Sequence, residues 1–232
     1  MASLFTTYRP TEWSQLIGHS KLKLAIQRMK KRGSLGGRAF IISGASGIGK
    51  STSAYLVAQD VCDPDNIVEI NATVVTPKMV QDWAKTQGQL LIGSKPGRAI
   101  IINECHKMRT DCVTLLLEVL EDVKGHVVWI FTTQGHGKQM GLFDDDDSGA
   151  LESRCVKFAL KATDYRIHFA KHAMAIAEKE DLGGAVFQKY LDAADKTECN
   201  LRAMLSMVEA GEFLAGESNE VGMAELMELA GV

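Results

Sequence analysis

The chain has 232 residues, 46% of them hydrophobic and 24% charged, a balance that excludes a disordered, collagen-like or disulfide-stapled protein. Its 26 Lys and Arg against 29 Asp and Glu leave a formal charge of −3, so no whole-molecule field draws it to nucleic acid or an anionic membrane. Any polyanion site must be local, and the length suits a mid-sized domain followed by a smaller one.

From Met1 to Arg38 the charges are basic apart from Glu12, whereas from Val208 to Val232 they are purely acidic. Each stretch reads as either a solvated helix face or a binding surface. The cysteines, Cys62, Cys105, Cys112, Cys155 and Cys199, are odd in number and show no CxxC spacing. They signal neither a disulfide framework nor zinc, and they fit a reducing, cytoplasmic setting. Met1 to Pro10 lacks an apolar leader core, and the longest apolar runs are strand-sized, so no membrane span is expected.

In chain order, a basic amphipathic helix is predicted over Ser20 to Lys31, then a buried strand over Ala39 to Ser43 that ends in glycine-rich sequence, then a helix over Ser51 to Gln59. Ile67 to Asn71 reads as a second strand, and Pro77 marks the start of a helix over Lys78 to Gln87. Ala99 to Ile102 and Val127 to Phe131 are further apolar strands, separated by a helix over Val113 to Asp122, and Val156 to Leu160 is the last strand. Continuous β-branched runs separated by helices predict an α/β fold, a parallel sheet with helices on both faces. Gln134 to Ser153, with Asp144 to Asp147, reads as a long exposed loop. Past Lys161 the period is helical throughout, over Asp164 to Glu180, Ala185 to Ala194 and Leu201 to Ala210. Two domains are therefore expected, residues 1–160 and an all-helical lid with an acidic tail at 161–232.

Gly44, Ala45, Ser46, Gly47, Ile48, Gly49, Lys50 and Ser51 match G-x-x-x-x-G-K-S/T in full, between a predicted strand and a predicted helix. The glycines let backbone N–H groups curl around phosphate oxygens, and the helix that runs on through Thr52 offers its positive end. Lys50 is placed to neutralise the β- and γ-phosphates and the Ser51 hydroxyl to ligate Mg²⁺, so ATP and Mg²⁺ are the expected ligands. Downstream, Ala99 to Ile102 followed by Asn103 and Glu104 has the form of the second nucleotide-site motif, polar residues at the C-terminal edge of a central strand. The usual pair there is Asp-Glu. Asn103 keeps an acceptor for a metal-bound water but brings no negative charge, while Glu104 remains to polarise the attacking water.

With these motifs in place the sequence resembles the AAA+ ATPases, and within them the clamp-loader branch, over nearly its whole length. Tyr8, Arg9 and Pro10, with Ile17, Gly18 and His19, resemble the segment that wraps the adenine base, where His19 stands for the usual Gln. Val68 to Ala72 resembles the family's second strand. Gln134, after Val127 to Thr133, lies where the sensor-1 Asn is usual. Ser153, Arg154 and Cys155 form the triplet that marks clamp-loader ATPase subunits, and Asn200 to Arg202 resembles sensor 2. The resemblance implies an arginine finger at Arg154 acting on a neighbouring subunit, a γ-phosphate contact from Arg202 in the lid, and a water-orienting or γ-phosphate-sensing role for Gln134. It implies as partners other AAA+ subunits, a sliding clamp, which the helix carrying Met79, Val80 and Trp83 would touch, and primer-template DNA, with a location at the nucleoid or replication fork. The same apolar set serves equally well as core.

Other readings stay beside this one. The departures at Asn103 and Gln134 suit a nucleotide-binding switch or scaffold subunit that hydrolyses poorly, and a branch-migration motor is a further alternative. Only Gly211 to Val232 follows the third lid helix, where the resemblance implies a helical collar; either the chain is a piece of a longer one or assembly rests on the AAA+ modules alone. His168 and His172, four residues apart, read as solvated helix histidines rather than metal ligands. Cys105 and His106 read as packing rather than a nucleophile pair, Asp144 to Asp147 as a solvated loop tip, and Met174, Met204 and Met207 as lid core.

Overall fold

The structure, a computed structural model, describes residues 2–134, 147–162 and 165–214. The chain makes two compact units, one of residues 10–162 and the other of residues 2–9 together with 165–214. After a short helix α1 (Leu4–Thr7), the first unit takes α2 (Ser20–Lys31), α3 (Lys50–Gln59), α4 (Pro77–Thr86), α5 (Thr110–Glu121) and α6 (Asp147–Ser153). Its strands are β1 (Arg38–Gly44), β2 (Ile67–Asn71), β3 (Arg98–Asn103), β4 (Val127–Thr133) and β5 (Cys155–Leu160).

These strands form one five-stranded sheet in the order β2-β3-β4-β1-β5. Every neighbouring pair is parallel. The apolar runs explain the order. All of β4 is buried, as is β1 beyond Arg38, which suits the middle of a sheet covered on both faces. β2 exposes Val68, Glu69 and Asn71 and lies at an edge. The core gathers on Trp129, fully buried, with Trp83 edge-on at 5.8 Å and Phe131 stacked at 6.4 Å. Such aromatic pairs add about 0.5–1.5 kcal/mol each beyond burial. Val80 is buried and Trp83 packs on Trp129, so these two residues of α4 face the core.

In α2 the basic residues Arg28, Lys30 and Lys31 fall in the last turn, where they oppose the negative end of the helix dipole. Lys30 is paired with Asp60 at 2.5 Å, so part of the basic stretch is engaged within the unit.

The second unit contains α1 with α7 (Arg166–Lys179), α8 (Phe187–Lys196) and α9 (Leu201–Glu209). Its core includes Phe169, Ile176, Met204, Leu205 and Val208, with Tyr190 and Phe213 stacked at 4.2 Å. Residues 2–9, assigned by sequence to the nucleotide-binding domain, belong here instead. The cause is local packing. Leu4 is buried, the Arg202 guanidinium lies 5.4 Å over the Phe5 ring, and Tyr8 donates to Glu180 with Lys179 over its ring at 5.0 Å.

A second correction concerns Gln134 to Ser153. Its last part is helix α6, anchored by the fully buried Leu151; one apolar side chain among small and acidic ones leaves no period to read. Asp144 to Asp146 and the acidic stretch beyond Leu214 lie outside the described residues. Among the described residues no helix is long and apolar enough to cross a membrane.

Candidate functional site

The phosphate-loop motif occupies the turn from the C-terminal end of β1 into α3. Gly44 is required by close approach, since a Cβ there would lie 2.8 Å from the Leu160 carbonyl oxygen on β5. Gly49 caps α3 at φ 103 with no side chain to bond the first-turn N–H groups, which therefore stay open to an anion. Ile48 is buried, Ser46 is exposed, and Ala45, Gly47 and Thr52, the last in the first turn of α3, are half-buried. Lys50 is buried, and its Nζ donates to the carbonyls of Gly44 at 2.9 Å and Ala45 at 2.8 Å, holding the ammonium against the loop.

The two nucleotide-site motifs meet through Asn103. Its Oδ1 accepts from Ser51 Oγ at 3.0 Å and from Thr132 Oγ1 at 2.8 Å, and its Nδ2 donates to Glu69 Oε1 at 2.8 Å. Ser51 thus donates its hydroxyl hydrogen bond to Asn103 and keeps its oxygen lone pairs available to a cation. Glu104 follows β3 in the left-handed region at φ 56, with its N–H 3.4 Å from Thr132 Oγ1. Gln134 Nε2 donates to Glu104 Oε2 at 2.9 Å, and His106 Nε2 and Lys107 Nζ lie 3.5 and 3.8 Å from the same oxygen. His106 is itself placed by Thr133 Oγ1 at 3.2 Å.

Ile17 and Gly18 lead into His19, which is buried at the start of α2 with its Nε2 3.3 Å from where a Gly49 Cβ would stand. Burial lowers the His19 pKa to about 4; a backbone hydrogen bond with Ile48 opposes that shift and the nearby charge of Lys23 adds to it. The imidazole is therefore neutral at ordinary pH. Pro10 opens the sheet unit, whereas Tyr8, Arg9 and Arg202 belong to the helical unit.

Arg154 stands at the N-terminal edge of the sheet, immediately before Cys155, which pairs with Ala39 at the start of β1. The phosphate loop leaves the other end of β1, and five residues of strand span roughly 17 Å. Its guanidinium donates to Glu121 Oε1 at 2.7 Å and to the Ala150 carbonyl at 3.1 Å.

Ser51, Asn103, Glu104 and Glu69 present hard oxygen donors at one end of the sheet, the type Mg²⁺ takes. Among the described residues no group of three or more His, Cys, Asp and Glu side chains is poised to hold a metal alone. Cys105 is fully buried, and burial pushes its thiol up, which suits packing rather than a nucleophile beside His106. His168 is exposed and His172 half-buried.

Sequence reasoning missed Glu69 and Thr132. Glu69 is signalled only as an acid inside the apolar run Ile67 to Ile70, and its link to Asn103 depends on the β2–β3 register that sets Asn71 against Asn103. Thr132 is the first hydroxyl after the apolar run of β4, which is a weak signal by itself.

Residues 40–146 match the model of the family described as ATPase family associated with various cellular activities (AAA). A Replication factor C small subunit from Methanococcus vannielii is 24% identical over 226 residues, 92% of this chain and 65% of that protein. A Holliday junction branch migration complex subunit RuvB from Nitratiruptor sp. is 26% identical over 131 residues, 55% of this chain and 36% of that protein. Among solved structures, a variant of Thermotoga maritima RuvB matches with a TM-score of 0.64 at 20% identity, covering 87% of this chain and 64% of that one, a likeness of fold. The chain spans less than two thirds of the length of each of these relatives.

Proposed function

We propose, from the premise that this chain carries an AAA ATPase domain, that it binds ATP with Mg²⁺ at the Gly44 to Thr52 loop and hydrolyses it as one subunit of a clamp-loader-like oligomer. The observation that carries this reading is the junction of Ser51, Asn103 and Glu104, which sets a cation-ligating hydroxyl and a water-polarising carboxylate at the same end of the sheet. The loop N–H groups and Lys50 hold the phosphates, and Ser51 and Asn103 orient the cation. Bound Mg²⁺ supplies charge neutralisation on the phosphate oxygens. Glu104 accepts the proton of the attacking water, and Gln134 keeps that carboxylate aimed.

Arg154, at the opposite edge of the sheet from its own loop, acts on the nucleotide of an adjacent subunit. Pro10, Ile17 and Gly18, which belong to the same unit as the loop, line the base. The likeness to a Replication factor C small subunit supports a sliding clamp and primer-template DNA as partners, with other AAA+ subunits completing the ring or spiral.

A second reading is favoured by the amide at Asn103, which brings no negative charge to a cation, and by the Gln134 amide that occupies Glu104 Oε2: a switch subunit that binds ATP and turns it over slowly. Steady-state ATP turnover with and without primed DNA, beside Glu104→Gln and Lys50→Ala, separates the two. Turnover that DNA stimulates and that both substitutions abolish supports the ATPase. Turnover equal to that of Glu104→Gln, with nucleotide binding intact, selects the switch.

A further inference from the structure

We propose that Glu69 supplies the Mg²⁺–nucleotide site with the negative charge that Asn103 lacks, the Asn103 carboxamide relaying it to Ser51. The proposal rests on the reading of this site as an ATP site.

The geometry pairs the two residues. Asn103 Nδ2 donates to Glu69 Oε1 at 2.8 Å while Oδ1 accepts from Ser51 Oγ at 3.0 Å and Thr132 Oγ1 at 2.8 Å. A carboxylate that accepts from one end of an amide draws its N–H and raises the negative charge on its oxygen, so the hydrogen bonds on the two sides strengthen each other. The Ser51 hydroxyl is thereby polarised toward Asn103 and its oxygen becomes a better cation ligand. An aspartate at 103 has no N–H to offer and would set its oxygen against Glu69, so Asn103 and Glu69 act as a matched pair: charge lost on β3 returns on β2.

The register makes this specific. Asn71 faces Asn103 and Glu69 faces Ile101, which puts Glu69 and Asn103 on one face of the sheet. Glu69 is exposed, on the edge strand β2.

The test is equilibrium binding of a fluorescent ATP analogue by the full chain, in Mg²⁺ and in EDTA, for wild type, Glu69→Gln, Glu69→Gln with Asn103→Asp, and Lys50→Ala. Glu69→Gln is expected to weaken binding in Mg²⁺ by about 10–100-fold while leaving binding in EDTA within about threefold. Adding Asn103→Asp is expected to restore the Mg²⁺ effect, because a carboxylate then stands on β3 itself; a purely structural role for Glu69 gives no such rescue. The proposal is overturned if Glu69→Gln keeps the full Mg²⁺ effect, if it loses affinity equally in Mg²⁺ and EDTA, or if the double variant binds no better than the single. Wild type that does not bind the analogue, or Lys50→Ala that binds as well as wild type, overturns the ATP site and this proposal with it, and shows in arms where Glu69 is intact.

Discussion

Gln134 Nε2 donates to Glu104 Oε2 over 2.9 Å, so the carboxylate that follows β3 is held from the end of the adjacent strand β4. Glu104 takes a left-handed backbone conformation to present that carboxylate, and Lys107 Nζ and His106 Nε2 lie 3.8 and 3.5 Å from the same oxygen. Removing the amide with Gln134→Ala takes away the hold on Glu104 from the β4 side. Turnover is expected to fall about 10–100-fold, since misplacing a reacting group by an ångström costs that much, with nucleotide affinity unchanged. Single-turnover kinetics beside equilibrium binding check the split.

Arg154 gives a prediction in trans. Its exposed pair with Glu121 is worth about 0–1 kcal/mol, so Arg154→Ala is expected to leave stability nearly intact. Were it to act as the proposed arginine finger, its loss would cost about 10³–10⁵ in turnover. A mixture of Arg154→Ala and Lys50→Ala chains is therefore expected to recover activity that neither has alone, because mixed neighbours combine an intact loop with an intact arginine. No recovery over a range of mixing ratios contradicts action across subunits.

Much of this site is written in local sequence. Gly44 to Ser51 and Asn103 with Glu104 are each contiguous, and the runs of β1, β3 and β4 are apolar enough to identify central strands. What was not legible depends on pairing. The partnership of Glu69 with Asn103 needs the parallel register of β2 and β3, and the edge position of β2 needs the crossover order, neither of which leaves a periodic trace. The packing of residues 2–9 with the helical unit rests on long-range contacts of Leu4, Phe5 and Tyr8, and α6 rests on Leu151 alone.

The loop glycine at the end of β1 is a stability position. A methyl group at Gly44 meets the Leu160 backbone oxygen at 2.8 Å, and backbone cannot move aside as a flexible side chain does. Gly44→Ala is expected to cost about 1–3 kcal/mol, the range for overpacking a tight site, read as a lower urea midpoint with an unchanged slope.

His19 makes stability fall in mild acid. Its folded-state pKa is lowered from 6.5 to about 4, so between these values the unfolded chain binds a proton that the folded chain refuses. The contribution is complete above 6.5 and is lost as pH drops toward 4, to a total of about 3 kcal/mol. In His19→Gln this component disappears, and the difference in urea midpoint between the two proteins is expected to change across that window and stay constant above it.

The central claim is that Glu104 and the Ser51–Asn103 junction form an ATPase centre. Steady-state ATP turnover of wild type against Glu104→Gln, measured with primed DNA and at matched nucleotide occupancy, tests it most directly. A loss of about 10²–10⁴-fold on substituting the general base, with binding preserved, is the predicted result. Wild-type turnover no greater than that of Glu104→Gln contradicts it.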